Sequence, residues 1–381
     1  MAHEDVKIAR GAFMPTIVFS GNYFRVNETP SIPLVNNSNL ITDVGKKNSF
    51  LIGATAAQPV YDPTLFAIKN SANKQKRVAD LKRSLGEKEA LGTVKKVYYK
   101  ALFFKEMISL NKEFGRTVTE KTEKTESGFK RGTASGLEFA KAEGVRAVSA
   151  TSYNEALVNY EASKDELKRL IGYPMDKEII LQGTLEEFVE QKSKSLTETI
   201  PGAVGVEHDQ EVKLADAYYD LAKAEKKRVL TNFFPKLYGT FNLYATKPDL
   251  LVEPDDEFAI HYMATAHIGF PIFDGFRNLH EYHKAALQEK MALIGKEEAR
   301  RSAQMKERAR ERQDQTEIIP LKGPKKTLEE ARKTYDVAKV AKRTGFISAA
   351  DYMGAEKYWA KSRADYSRAQ LQWLVDQVDR E

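Results

Sequence analysis

The chain has 381 residues, 42% hydrophobic and 30% charged, and no Cys, which excludes disulfide scaffolds, thiol catalysis and Cys-based zinc sites. Its 60 basic and 54 acidic residues leave a formal charge of +6 with both signs interleaved, and the concentrated basic stripe favoured by nucleic-acid binding is missing. No apolar run approaches the ~18 residues of a membrane-spanning helix, so an α-helical membrane protein is excluded, whereas a transmembrane β-barrel, whose strands alternate, is not.

Met1-Ala-His-Glu-Asp5 has no basic region followed by an apolar one, so no signal peptide is written there. Ile8-Ala-Arg-Gly-Ala-Phe-Met-Pro15 leads into an alternating run that predicts a strand over about 16–26, with Ile17, Phe19 and Tyr23 on one face and Ser20 and Asn22 on the other. A second strand is expected over about 49–58, ending in Gln58-Pro-Val-Tyr-Asp62. From Asp62 to Arg131 apolar residues recur at helical spacing (Val78, Leu81, Leu85, Val94, Val97, Ala101, Phe104, Ile108). Unbroken at 1.5 Å per residue, that helix would reach ~105 Å. Gly132-Thr133-Ala134-Ser135 reads as a turn, followed by a return helix over 136–171 and a connecting segment over 175–206.

The second half repeats these landmarks. A helix over 207–233 leads to Pro235 and to strands at about 236–246 and 258–270. In the first of these strands Leu237, Gly239, Phe241, Leu243 and Ala245 alternate with Tyr238, Thr240, Asn242, Tyr244 and Thr246. In the second, Phe258, Ile260, Tyr262, Ala264, Ala266 and Ile268 share one face, with His261, Thr265 and His267 opposite. A long helix over 275–344 follows, then the turn Gly345-Phe346-Ile347-Ser348 and a return helix over 349–380. On that return helix Tyr352, Ala355, Trp359, Ser362, Tyr366, Ala369 and Trp373 keep heptad spacing. Pro59 to Gly132 spans 73 residues and Pro271 to Gly345 spans 74, whereas Pro15 to Pro59 and Pro235 to Pro271 differ, at 44 and 36. Constant long arms with slack confined to a loop indicate a duplicated unit, and the two repeats divide the chain at 1–206 and 207–381. Alternation alone suits an ordinary half-buried sheet equally well. Four strands cannot close a barrel, however, and strands that run directly into helices of ~100 Å demand partner chains.

Ala-Arg-x(4)-Pro15, the corners Gln58-Pro-Val-Tyr-Asp62 and Phe270-Pro-Ile-Phe-Asp-Gly275, both Gly-x-x-Ser turns and the return helix ending Leu170-Ile-Gly172 together resemble the TolC-like outer membrane efflux protein family. The resemblance covers nearly the whole chain. It implies an α+β membrane protein of two tandem structural repeats: a homotrimer with a 12-stranded β-barrel, four strands per protomer, continued by a long α-helical coiled-coil tunnel. It further implies a passive exit duct of a tripartite efflux or type I secretion system, in the outer membrane and periplasm of a Gram-negative bacterium, docked to a periplasmic membrane-fusion adaptor and an inner-membrane pump. Asn27–Ser49 and Lys247–Glu257 would be extracellular loops, and 175–206 equatorial.

Three departures from the family pattern stand out. Only about 12 residues precede Pro15 where 27 precede Pro235, so the first helix reads as truncated, and no signal peptide accompanies it. That favours the alternative of a soluble coiled-coil scaffold without a pore; the alternation of Leu237 to Thr246 opposes it. Ile318-Ile-Pro320-Leu-Lys-Gly323-Pro324 predicts a break in the second long helix near 318–326. Of the family's acidic gate pair, Asp351 matches the first member and Gly354 takes the place of the second.

The resemblance makes Asp351, joined by Glu138, a pore gate; Glu138 with Lys342 an inter-hairpin link; and Gly132, Thr133, Ala134, Ser135, Gly345, Phe346, Ile347 and Ser348 the adaptor-docking tips. The bland account of the tips is that Gly ends one helix and Ser caps the next; for Asp351 it is a carboxylate on a helix's first turn. Parity with the barrel reading puts Leu237, Phe241 and Leu243 against lipid. Of six His (His3, His208, His261, His267, His280 and His283), His280 and His283 stand at i, i+3, an arrangement more often found on a plain surface than round a metal. With no phosphate loop, nucleophile elbow or His-Glu-x-x-His motif, no catalytic, cofactor or metal residue is assigned.

Overall fold

Alternating sequence becomes four long strands: β1 (Thr16–Arg25), β4 (Asn48–Tyr61), β5 (Lys236–Lys247) and β6 (Ala259–Gly269). A short pair, β2 (Ser31–Pro33) and β3 (Ile41–Asp43), lies between the first two. The computed structural model describes residues 1–28, 31–33, 41–43, 46–198, 209–247, 258–314, 319–344 and 346–380. His208, Gly345, residues 199–206 of the expected equatorial segment and much of both expected extracellular loops lie outside the described residues. The chain divides into two compact units, Met1–Arg83 with Val206–Ala303, and Ser84–Gly205 with Gln304–Glu381. Each unit therefore takes one stretch from each half of the sequence.

In the first unit the sheet is antiparallel, in the order β1-β4-β5-β6. β4 continues past Pro59 to Tyr61 through a register shift, as expected where proline supplies no ladder N–H. Two helices leave the sheet through matching corners. Asp62 precedes α2 (Pro63–Lys130), and its Oδ1 accepts a 2.8 Å bond from Thr64 N–H. Pro63 suits the first helical position, where no N–H is needed. At the start of α6 (Arg277–Asp314), Asp274 Oδ2 accepts 2.9 Å from Asn278 N–H. Gly275 and Phe276 make that turn with φ of 69° and 63°; for Phe276 this left-handed backbone is strained.

α1 (Ala2–Gly11) buries Val6 and Ala9, and Phe13 just beyond it meets Phe66 edge-on at 5.0 Å. α5 (Gln210–Leu230) is capped by Asp209 and ends in a 3-10 turn, Thr231–Phe233. The charge pair Lys74–Asp220 (2.9 Å) and a hydrogen bond from the Ser71 hydroxyl to Glu225 tie it to α2, and the charge pairs Lys226–Glu289 and Lys296–Asp216 (both 2.8 Å) tie it to α6. Partly exposed pairs contribute ~0–1 kcal/mol each, so their main effect is to select helix register.

The second unit is helical: α2 beyond residue 83, α3 (Gly136–Ile171), α4 (Leu185–Glu198), α7 (Ile319–Arg343), α8 (Ala349–Arg380) and the end of α6. Leu102, Phe103 and Met107 of α2 pack with Leu167, Leu185, Trp373 and Leu374 in its core. Over 319–326 the expected break is not found, because α7 runs through both prolines. Residues 315–318 lie outside the described residues, and α7 is helical from Ile319 onward. Pro320 sits in its first turn, where proline is tolerated, while Pro324 is inside the helix and forgoes one backbone bond.

Candidate functional site

The hairpin turns are built by backbone geometry first. α2 ends with Thr133 N–H donating to Gly128 O at 2.8 Å and Gly132 N–H to Phe129 O at 3.0 Å, while Gly132 takes φ 75°. Such a left-handed residue costs glycine nothing, which explains its place there. α3 then starts in a capping box: Glu138 N–H donates to Ser135 Oγ (3.1 Å) and Ser135 N–H to Glu138 Oε2 (2.8 Å). Backbone and hydroxyl hydrogen bonds from Ser135 hold the Glu138 carboxyl below its ordinary range, against slight desolvation. The second turn reproduces this box. Asp351 N–H donates to Ser348 Oγ (3.1 Å), and Asp351 Oδ2 accepts from Ser348 N–H (3.2 Å) and Oγ (2.6 Å). Phe346 N–H reaches back to Ala341 O at 2.8 Å, and its ring is 85% exposed.

Both expected gate carboxylates are thus exposed helix caps at equivalent positions. Lys342 is exposed as well, and among the described residues no ion pair joins it to Glu138 within the chain. Gly354, where the family pattern has an acid, is exposed, and a Cβ there would meet no heavy atom within 4 Å.

One cluster escaped the sequence reading. Lys121 of α2 pairs with Glu356 of α8, whose side chain is 7% exposed, and the same ammonium lies 4.2 Å from the Tyr352 ring centroid. Tyr335 stacks on Tyr352 and on Trp359, at 5.9 Å and 5.0 Å. Burial, the hydrogen bond with Tyr335 and the Glu356 carboxylate push the Tyr352 phenol well above its ordinary value. Glu356 is an acid between the apolar heptad positions Tyr352 and Trp359, and nothing in that spacing indicates that it is buried.

The sheet separates two chemistries. One face carries the rows Ile17–Ala56–Phe241–Ala264 and Phe19–Ala54–Leu243–Tyr262, with Leu237 opposite Ile268. Phe19, Phe241, Leu243, Ile260, Tyr262 and Ile268 are exposed there, Tyr262 at 78%; Leu237 is half-buried. The other face carries Thr55, Asn242, Thr240, Thr265 and His261. Thr55 Oγ1 donates to Asn242 Oδ1 at 2.8 Å, the Thr240 and Thr265 hydroxyls bond each other, and His261 lies 5.6 Å from Tyr244. The His280 and His283 rings are 6.4 Å apart, and among the described residues no group of three or more His, Asp or Glu is placed to hold a metal.

No protein-family model and no curated protein matches the sequence. Solved structures do match. The outer membrane protein VceC from Vibrio cholerae aligns with TM-score 0.76 and 12% identity over 99% of this chain and 88% of that one. The CmeC outer membrane channel of Campylobacter jejuni gives 0.79 and 15%, over 99% and 79%. The open-state MtrE outer membrane channel of Neisseria gonorrhoeae gives 0.74 and 18%, over 99% and 82%. The chain has the fold of these outer-membrane channels, as its turns and corners led us to expect.

Proposed function

We propose that three copies of this chain form an outer-membrane exit duct, a passive channel docked to a periplasmic adaptor and an inner-membrane pump. The two-faced sheet carries this reading. Its apolar face would be costly in water but suits lipid, and its hydrogen-bonded polar face suits a lumen. β1 and β6 have one unpaired edge each, and pairing β1 of one copy with β6 of the next removes both. Three copies of four strands then give twelve. A soluble scaffold would leave the apolar face in water, so the duct is preferred.

On this reading Asp351 and Glu138 surround the periplasmic constriction, Glu138 and Lys342 link hairpins of neighbouring copies, and residues 132–135 and 345–348 meet the adaptor. Leu237, Phe241 and Leu243 face lipid. Light scattering of the purified protein in detergent should give the mass of three chains, and planar bilayers should show discrete conductance steps. A stable monomer that never conducts would overturn the proposal.

A further inference from the structure

The apolar face of the sheet finishes differently at its two ends. Toward the helices it closes on Leu237, Gly239, Ala266 and Ile268, with no charged side chain of that face on the strands there. Lys236 belongs to the other face, where it pairs with Asp62. At the far end the apolar face closes on the row Tyr23–Phe50–Lys247 and, one step beyond, on Arg25 opposite Asn48. Lys46 and Lys47 come just before β4. Lys47 O still accepts from Val26 N–H at 2.9 Å, so the ladder carries both lysines to the same edge.

Arg25, Lys46 and Lys47 are exposed and have no carboxylate partner among the described residues. Glu28, three residues past Arg25, brings one carboxylate to this end. Asp43 and the acids between Asp249 and Glu257 have side chains outside the described residues. Rings stand beside the cations. Tyr23 and Phe50 are 5.0 Å apart, the Tyr23 hydroxyl donates to Asn48 Oδ1 at 2.9 Å, and Lys247 Nζ lies 5.7 Å from the Phe258 ring centroid. Rings with a wet polar tip, next to long cations, suit a membrane interface better than a hydrocarbon core.

The dimensions agree. Leu237 to Lys247 is ten steps, ~33 Å along the strand, and at a tilt of ~40° that rises ~25 Å, the height of a barrel's apolar band. The cations therefore begin where hydrocarbon gives way to headgroups. Arg25 and Lys247 stand two strands and two residues apart across β4, ~12 Å, so a broad headgroup with two phosphates can meet both. A free anion would have only exposed cations, which salt screens within ~8–10 Å. An amphiphile adds acyl chains lying along Phe19, Ile52 and Leu243 below.

We propose that this rim binds the phosphorylated sugar headgroup of an outer-leaflet glycolipid. Arg25 offers a guanidinium fork that matches phosphate oxygens, and Lys247, Lys46 and Lys47 offer ammonium groups. The inference rests on reading the apolar face as lipid-facing, as the duct requires, but it needs only β1, β4 and β5 of one chain and not the trimer.

The test is native mass spectrometry of the whole protein in detergent, which counts lipids per chain and reads the oligomer in the same spectrum. The probes are diphosphoryl lipid A, monophosphoryl lipid A and phosphatidylcholine. Diphosphoryl lipid A should be held at least about tenfold more tightly than phosphatidylcholine, with the monophosphoryl form between them. Each cation neutralised should weaken it about fivefold, so Arg25→Gln with Lys247→Gln should weaken it about 25-fold, while Arg25→Lys keeps most of the binding. Arg277→Gln, which removes an exposed cation at the helix end, should change nothing. Inorganic phosphate in large excess should leave the lipid bound; displacement would make this a free-anion site and overturn the lipid assignment. Equal retention of the three lipids, or indifference to the rim variants in protein with unchanged far-UV circular dichroism, would overturn the site, and the latter is the result expected if acids of the connecting segments already neutralise the rim. A monomer that still prefers lipid A would refute the trimer and leave this site standing. A trimer that holds the three lipids alike would refute this site alone.

Discussion

Lys121 and Glu356 should couple more strongly than the exposed ion pairs among the described residues. The Glu356 side chain is 7% exposed and that of Lys121 23%, so Glu356 has little access to water if its partner is removed. Breaking a buried pair by removing one partner costs ~3–5 kcal/mol, and the partial exposure of Lys121 lowers the expectation to ~2–4 kcal/mol for Glu356→Leu. Lys121→Met should cost about the same plus ~1 kcal/mol, because it also removes the cation from the Tyr352 face. The double variant strands neither charge and should be less destabilised than the sum by ~2 kcal/mol or more. Chemical denaturation followed by far-UV circular dichroism gives all four corners of the cycle. The reasoning fails if the single variants cost only the ~0–1 kcal/mol of an exposed pair and their effects simply add.

Four further outcomes can be checked. Phe241→Arg should cost ~2–4 kcal/mol and deplete heat-stable trimer in detergent, whereas Asn242→Arg should be tolerated; equal tolerance would refute the assignment of faces. Ser135→Ala and Ser348→Ala each remove the cap of a capping box and should cost ~1 kcal/mol of thermal stability, and a box without value would show no loss at either site. In planar bilayers Asp351→Asn should reduce cation selectivity, and Gly354→Asp, which meets no steric obstacle, should increase it; unchanged reversal potentials in both would leave Asp351 a helix cap only. Asp62 is opposed by burial but held below its ordinary value by Tyr238, Thr64 and Lys236, so its contribution is present above about pH 4 and is lost as pH falls through the folded value. Asp62→Asn should therefore flatten the acid limb of a stability–pH curve, and an unaltered limb would contradict the assigned bonds.

The parts of the fold that local chemistry dictates were legible in the sequence. Period-2 alternation from Lys236 to Thr246 gave strand β5 and both of its faces, and Gly132 with Ser135 and Glu138 marked a helix end, a turn and a cap within seven residues. Proline misleads in one place: the strand expected over about 49–58 stops before Pro59, yet β4 absorbs Pro59 in a register shift and pairs on to Tyr61. Hydrophobic spacing on α8 found Trp359, Tyr366 and Trp373 but passed over Glu356, Ser367, Gln370 and Gln377, all buried. Polar residues carry no periodic signal, and their burial is decided by partners far along the chain. Lys121 and Glu356 are 235 positions apart.

The duplicated corners show how one inherited device comes to do unequal work. Asp62 and Asp274 both cap a long helix as it leaves the sheet, and this shared role explains the acid three residues after the proline in each strand-to-helix motif. Asp62 has more than a cap. Tyr238 Oη donates to its Oδ2 at 2.6 Å and Lys236 Nζ lies at 3.8 Å, because β5 runs beside β4 in the same chain. Counting from the prolines, the residues matching Lys236 and Tyr238 in the first repeat are Thr16 and Val18. In the proposed trimer those side chains, from the β1 strand of the next copy, are what Asp274 would face. Neither Val18 nor Thr16 can supply a phenol or an ammonium. The Asp62 corner is therefore fastened by three kinds of bond, and in the proposed trimer the Asp274 corner would gain neither of the two that Tyr238 and Lys236 supply. The seam between protomers would then be the softer part of the ring, and strain applied to the long helices should reach it before it reaches β4 and β5.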